Sequence, residues 1–497
     1  MSEAIPGLPE APPSPVPAPA SAVILWREGP AGRELFWVRR GRGLRFAGGY
    51  HAFPGGRLDR ADGAVPVSGP RRRDAALVAC AARELFEETG VLVARGAERL
   101  SRAEREEARH ALLQRRLDFG AFLVRTGLEV DAAAFAPAGR WVTPAFLPIR
   151  FDASFFLVGL PRGEEAVVWQ GELSGGEFVL ASHALELWER GEVLLHPPNL
   201  WGIRCLARAA PPACLPALQG ASQSGPEGRI ELQKGVIDVA LRTPTLPPAT
   251  HTNCWVLDTG EGLAIVDPGT PDPAELAQLD ELLDALSAEG LPPREIWLTH
   301  HHADHVGGVA RLRSRRGLEV LAHPLTADRL PAGAGPVRPV EEGALLHGRF
   351  RVLHTPGHAR GHLSFHDERS GTLLCGDMVS TLSTIVIDPP EGDMAEYLRQ
   401  LERLRALAPR TLFPAHGWPA PNGVEKLDEY LAHRREREAK VVSALAVPGA
   451  LSEVTRAAYG DTPAFMMPVA ERSCLASLEK LRAEGRARLD GDRWSAA

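Results

Sequence analysis

The sequence contains no Cys-X-X-Cys pair. Its cysteines, Cys80, Cys205, Cys214, Cys254, Cys375 and Cys474, lie scattered along the chain. That pattern excludes a disulfide framework and fits reduced thiols in a cytoplasm, where the protein is expected to reside. No stretch approaches the roughly 18 consecutive apolar residues of a membrane-spanning helix, so no membrane partner is expected. The opening "MSEAIPGLPEAPPSPVPAPA" has neither the basic nor the apolar segment of a secretory signal. Its proline and alanine content reads as an extended, disordered lead over 1–20. Positive charge is not in excess, since the net charge is −7. No global basic field holds nucleic acid, and any such contact must use a local patch. There is no internal repeat.

What the sequence does have is length. At 497 residues it is too long for one core, and roughly two to four domains are expected. "SAVILWR" (21–27) and "ELFWVRR" (34–40) are β-rich runs joined by the hairpin signal "EGPAG". Helical patterns cover 74–89 and 102–117, and short strands such as "SFFLVGL" (154–160) follow. Residues 207–229 are rich in Pro, Gly, Ser and Ala, which places a linker at 209–228 after a first domain at 21–208. Over 229–424, buried-strand runs such as "GLAIVDPG" and "EIWLT" alternate with helices at 273–289 and near 393–407. That alternation marks α/β layers. From about 425 to 497 the text turns helical and charged and closes in the hairpin "GRARLDGDRW".

Two stretches carry chemistry. In "AARELFEETGVLV" (81–93), Glu84, Glu87 and Glu88 stand at i, i+3 and i+4, so one helix face carries all three carboxylates. They repel one another unless a hard cation such as Mg²⁺ or Mn²⁺ neutralises them. Arg83 is placed to brace the cluster, and Gly90 to end the helix. Upstream, "FPGGRLD" (53–59), with Gly55 and Gly56, reads as a tight glycine turn.

These residues resemble the Nudix box, GX5EX7REUXEEXGU with U aliphatic. The second half is complete in Arg83, Glu84, Leu85, Glu87, Glu88, Gly90 and Val91. The first half departs: "RADGAVPVSGPRRR" separates the glycines from the helix, and Ala75 stands where a glutamate is expected, beside Asp74. This split, and "RWVTPAFLPIRFDASFFL" (140–157), look like the Nudix branch that includes peroxisomal coenzyme A diphosphatases. The resemblance implies an α/β/α sandwich that hydrolyses a nucleoside diphosphate linked to another moiety. It implies Mg²⁺ or Mn²⁺ on Glu84, Glu87 and Glu88, with Glu87 catalytic and Glu172 as a further acid. Arg83, Gly55 and Gly56 then support the site or touch substrate. The missing glutamate keeps open a non-catalytic reading, in which this half binds a nucleotide and regulates its neighbour.

The second stretch is "WLTHHHADHVGG" (297–308), four histidines and an aspartate after a buried strand. The loop lies at a strand's carboxyl end, where α/β sheets place their chemistry. His358 in "HTPGHARGH", Asp377 in "LLCGDMV" and His416 in "FPAHG" each follow an apolar run and are expected at the same edge. The count fits two cations, one on His300, His302 and His358, the other on Asp304, His305 and His416, with Asp377 between them. Imidazole and carboxylate donors suit two Zn²⁺, or iron or manganese. The set resembles the metallo-β-lactamase-fold hydrolases at all seven positions. The resemblance implies an αββα sandwich and a metal-bound hydroxide attacking a thioester or other ester-like centre, oriented by Asp304 and Asp377. His301 is expected to face away. His323 and His354 are expected to be structural, and His362 either supports the site or touches substrate.

"TPGHARGH" looks like the glyoxalase II group, which cleaves thioesters. The tail reads as three helices and a β-wing. It resembles the winged-helix segment of a branch that includes a mitochondrial single-strand endoribonuclease. Arg434, Arg435, Arg437, Lys440, Arg486 and Arg488 are its candidate phosphate contacts, against a packing or dimer role; it shows no aromatic stacking ladder of the kind single-strand binders use. The expected architecture is α/β and α+β multidomain: a Nudix sandwich, a metallo-β-lactamase sandwich and a winged-helix-like tail. The expected partner is a small-molecule thioester or a nucleoside diphosphate, with single-stranded RNA as the alternative and homo-oligomerisation open.

Overall fold

Side chains along Ala18–Gly29 alternate in destination, as a strand's twofold period requires. Val23 and Leu25 enter one core with Phe36 and Val38 of the neighbouring strand Gly32–Arg40, while Ile24 enters a second with Leu35 and Trp37. The sheet is therefore buried on both faces. In this computed structural model, residues 14–41, 48–69, 73–169, 171–221, 223 and 225–497 are described. The part of the lead at 1–13 lies outside them, and the strand already begins at Ala18. The described chain divides into two compact units, the first ending at Lys234 and the second running Gly235–Ala497.

In the first unit, Ala18–Gly29 pairs antiparallel with Gly32–Arg40 and parallel with Phe151–Gly159, in register Ser21 to Ser154. The helix Ala75–Thr89 packs Val78, Leu85 and Phe86 into the first core. The helices Ala181–Glu189 and Pro197–Arg208 cover the other face with Trp188, Leu200 and Ile203. The result is the expected α/β/α sandwich. Two local expectations are corrected. Gly55–Arg57 is a strand pairing with Ala18–Gly29, not a tight turn. Residues 209–228 are not a free linker: Leu215–Gln219 is helical, and Leu218 and Cys214 are buried in the second core. The Pro and Ala around them masked the two apolar anchors that hold the segment down.

In the second unit, Val236–Arg242, His251–Asp258, Leu263–Val266, Pro293–Trp297, Glu319–Ala322 and Val337–Pro339 lie side by side in that order. The first three run antiparallel and the rest parallel. A second sheet runs Leu345–Leu346, Phe350–His354, Leu363–Asp367, Thr372–Ser380 and Thr411–His416. Aromatic rings join the inner faces, with Trp297 5.2 Å from Phe350 and Trp255 4.9 Å from Phe413. The helices Pro273–Ala288 and Met394–Leu407 close the two outer faces, completing an αββα sandwich. The tail folds as Gly423–Ala444, Leu451–Ala458, Met467–Ala483 and the hairpin Ala487–Asp490 with Arg493–Ala496, around Val441, Leu478 and Trp494. Among the described residues no helix is long and apolar enough to cross a membrane.

His347 joins the sheets electrostatically. Its two ring nitrogens donate to Glu261 and Glu295, each at 2.9 Å, and the ring stacks on Trp297. Burial works against its charged form, but the two carboxylates prevail and raise its pKa. A raised folded value stabilises fully below the unfolded pKa and is lost as pH climbs through the folded one. His347→Gln is expected to cost up to about 1 kcal/mol near pH ~5.5 and almost nothing near pH ~9 in urea titrations.

Candidate metal centres

The strand Pro293–Trp297 delivers Thr299 to the sheet edge, and the chain turns there into the short helix Ala303–Val306. Asp267, at the end of the adjacent strand, fixes that turn. It accepts Thr299 N at 2.8 Å and Thr299 Oγ1 at 2.6 Å, and His305 Nδ1 at 2.8 Å. Gly269, two residues on, lies so close that an added Cβ would overlap the Asp304 carbonyl. Gly269→Ala is therefore expected to displace Asp304 and His305, costing about 1–3 kcal/mol and most of the bound metal. Calorimetry and metal analysis on the purified protein check it.

The seven expected residues converge. His302 Nδ1 lies 2.9 Å from His300 Nε2 and 3.0 Å from His358 Nε2. His416 Nε2 lies 3.6 Å from Asp304 Oδ2 and 3.4 Å from Asp377 Oδ1. The other oxygen of Asp377 faces His358 Nε2 at 3.5 Å and His305 Nε2 at 3.7 Å. Asp377 thus lies between the two triads, one oxygen toward His416 and the other toward both His358 and His305. Ligand atoms tetrahedrally arranged at about 2.0–2.1 Å from a cation sit roughly 3.3 Å apart, close to these spacings. Moreover, His305 Nε2 and Asp377 Oδ1 are buried without a hydrogen-bond partner. Two orphaned buried ligand atoms within the cluster fit a divalent cation, which would repay their desolvation.

The remaining nitrogens are anchored. His358 Nδ1 donates to Val386 O at 2.8 Å and His416 Nδ1 to His251 O at 3.1 Å, orienting each ring. Burial pushes His300 and His302 well below the usual imidazole range, so both are neutral donors. Despite burial, Asp267, Asp304 and Asp377 hold His305 well above it. The Asp377 carboxyl, although buried, is held well below its usual range by His416 and His305.

His362 sits behind the cluster. It is buried, bonded to Thr355 Oγ1 at 2.8 Å, and accepts Asp377 N at 3.1 Å. His323 and His354 stack on each other 4.2 Å apart. His301, expected to face away, instead lines the cavity over the cluster beside Arg329. That cavity holds about 580 Å³ and is walled partly by the tail.

The tail also grips the loop after Asp377. Tyr430 Oη accepts Ser380 N and bonds the carbonyls of Ser380 and Ser383, all at 2.7 Å. Arg434 donates to Ile385 O, and Arg472 pairs with Asp388 at 2.6 Å. Val386 O, the carbonyl that orients His358, lies between these clamps. No spacing rule in the sequence indicated them.

In the first unit, Arg83 Nη1 donates to Glu84 at 2.8 Å and to Glu87 at 3.3 Å. Its Nε and Nη2 grip Asp62 at 2.8 and 3.0 Å. Asp62 is 1% exposed and lies in the insertion, a partner that the sequence pattern did not reveal. Glu88 accepts Gly55 N at 3.0 Å, and a Cβ on Gly56 would stand 2.5 Å from the Glu84 carboxylate. These glycines let a strand edge approach the carboxylates. Gly90, at φ 76°, caps the helix, and Arg109 bonds the terminal carbonyls of Glu87 and Glu88. Burial pushes Glu84 up to about 7 and, with the charge of Glu84, Glu88 up to about 8. Three carboxylates on a half-buried face, only two of them bonded to Arg83, fit a hard cation. Glu172 is exposed, and its charge reaches both Glu88 and Arg40.

Family models match three stretches: the metallo-beta-lactamase superfamily over residues 247–416, the beta-lactamase associated winged helix domain over 451–494 and the NUDIX domain over 16–153. The lactamase-like protein vrtG of Penicillium aethiopicum is 30% identical over 266 residues, covering 50% of this chain and 79% of that protein. A hydroxyacylglutathione hydrolase of Methylococcus capsulatus is 34% identical over 198 residues, covering 38% of this chain and 73% of its own length. A solved NUDIX hydrolase from Alicyclobacillus acidocaldarius is 27% identical, covers 42% of this chain and 99% of its own, and superposes with a TM-score of 0.35.

Proposed function

The chain belongs to the metallo-beta-lactamase superfamily, with a NUDIX domain ahead of it, and from that premise we propose that it hydrolyses two bonds of coenzyme A derivatives: the thioester at the histidine cluster and the diphosphate at the carboxylate helix. The observation that carries this reading is the placement of Asp377, whose two oxygens face different histidines of one cluster. The named activity of the hydroxyacylglutathione hydrolase relatives supports a thioester as the bond attacked.

His300, His302 and His358 would hold one cation and Asp304, His305 and His416 the other, with Asp377 shared. Divalent cations there, zinc or else iron or manganese, would polarise a carbonyl and make water acidic near neutral pH. Asp304 and Asp377 border the cavity, so they would orient the attacking water. His362 holds the Asp377 backbone, and Asp267 fixes His305. In the NUDIX half, Glu84, Glu87 and Glu88 would hold Mg²⁺ or Mn²⁺. Glu87 is the catalytic carboxylate, and Arg83 braces Glu84 and Glu87 through one nitrogen.

The test is incubation of the purified protein with an acyl-coenzyme A, Mn²⁺ and Zn²⁺, with products identified by mass spectrometry. Free coenzyme A supports the thioester reading, and 3′,5′-ADP with an acyl-phosphopantetheine supports the NUDIX one. An unchanged substrate overturns the shared-metabolite reading and brings single-stranded RNA forward. Nucleotide binding without cleavage would make the NUDIX half a regulatory module.

A further inference from the structure

The cavity over the histidine cluster is not built by the sandwich alone. Arg434, Tyr459, Thr462 and Met466 of the tail face it together with His302, His358, Asp377 and His416. Its volume of about 580 Å³ suits a small molecule. Most arginines in the wall are already neutralised. Arg329 pairs with Glu391, Arg437 with Asp461 at 2.8 Å and Arg472 with Asp388 at 2.6 Å.

Arg434 differs. It is only 6% exposed, and among the described residues no carboxylate pairs with it. Its guanidinium donates to Ile385 O and lies over the Tyr397 ring at 5.2 Å, while its Nε is buried without a partner. A buried cation without an anion is costly, and a bound anion removes that cost. Arginine's planar fork suits phosphate or carboxylate oxygens. Elsewhere on the tail, Arg435 pairs with Glu402, Lys440 with Asp461 and Arg486 with Glu438. Of the candidate tail contacts, Arg434 and Arg488 have no acid partner among the described residues, and of these two only Arg434 faces the cavity.

We infer that Arg434 binds an anionic group, a phosphate or carboxylate, carried by the thioester substrate, and that the winged-helix tail is the recognition half of this active site. The inference rests on the thioester reading above. The apolar wall of Met466, Val469 and Ala470 then accommodates the uncharged part of the same molecule.

The test compares one acyl group on three thiols: phosphopantetheine, glutathione and the neutral N-acetylcysteamine. Wild-type protein is expected to prefer the anionic thioesters, and Arg434→Gln to lower the ratio of anionic to neutral kcat/KM at least ~10-fold, mainly through KM. Preference for the phosphate or for the carboxylate arm identifies the source of the anion. Arg434→Lys should recover part of the ratio. An equal loss on charged and neutral thioesters would assign Arg434 to holding the Ile385 loop and overturn the inference. So would a wild-type protein indifferent to charge, a result available even if the variant does not fold. Calorimetric titration with phosphopantetheine and glutathione separates the two readings. Binding that depends on Arg434 without turnover of any thioester keeps the anion site and discards the thioester. Absence of binding, or RNA cleavage insensitive to Arg434→Gln, discards the anion site.

Discussion

Asp377→Asn is expected to lower thioester hydrolysis by ~10³-fold or more while the fold survives. The substitution is nearly isosteric, so packing along the fully buried strand Thr372–Ser380 is retained. What changes is the chemistry of two oxygens. One faces His416 and the other faces His305 and His358. An amide carries no charge and turns one of those faces into an N–H donor, which binds no cation. Whichever way the amide is turned, one side of the cluster loses its carboxylate ligand. Metal analysis should therefore show reduced occupancy alongside the lost turnover, and circular dichroism should remain unchanged. Normal turnover with full metal content would remove Asp377 from the site.

Asp62→Leu should destabilise the NUDIX unit by about 3 kcal/mol and lower its diphosphate hydrolysis ~10–100-fold. Arg83 is held by Asp62 through two of its nitrogens, leaving the third for Glu84 and Glu87. Without Asp62 the guanidinium is half-buried and free to collapse onto those glutamates, where it competes with a cation. Asp62→Glu should restore part of the activity if reach is the only defect. Urea unfolding and nucleotide release measure the two effects, with thioester turnover as an internal control. Undiminished diphosphate hydrolysis in Asp62→Leu would show that Arg83 needs no such partner.

The histidine cluster was legible because each ligand follows an apolar run, and runs of that kind end at a common sheet edge. The carboxylate helix was legible because i, i+3 and i+4 share a face whatever surrounds them. Asp62 was not legible: its pairing with Arg83 spans 21 positions and an insertion, and only folding brings the two together. The glycines at 55 and 56 suggested a turn, whereas they serve the close approach of a strand to Glu84 and Glu88. The tail arginines all look alike in the sequence. Their roles separate only when their partners are known, since Arg435 and Arg486 meet acids and Arg434 does not.

The grip of the tail on the loop at 380–388 bears on how such a protein can be inherited. Tyr430, Arg434 and Arg472 hold the stretch whose Val386 carbonyl aims His358. A recombination event that carried away only the sandwich would copy every metal-facing residue and still leave one imidazole unaimed. In this chain the functional piece is thus longer than the sandwich and includes the helices that carry Tyr430, Arg434 and Arg472.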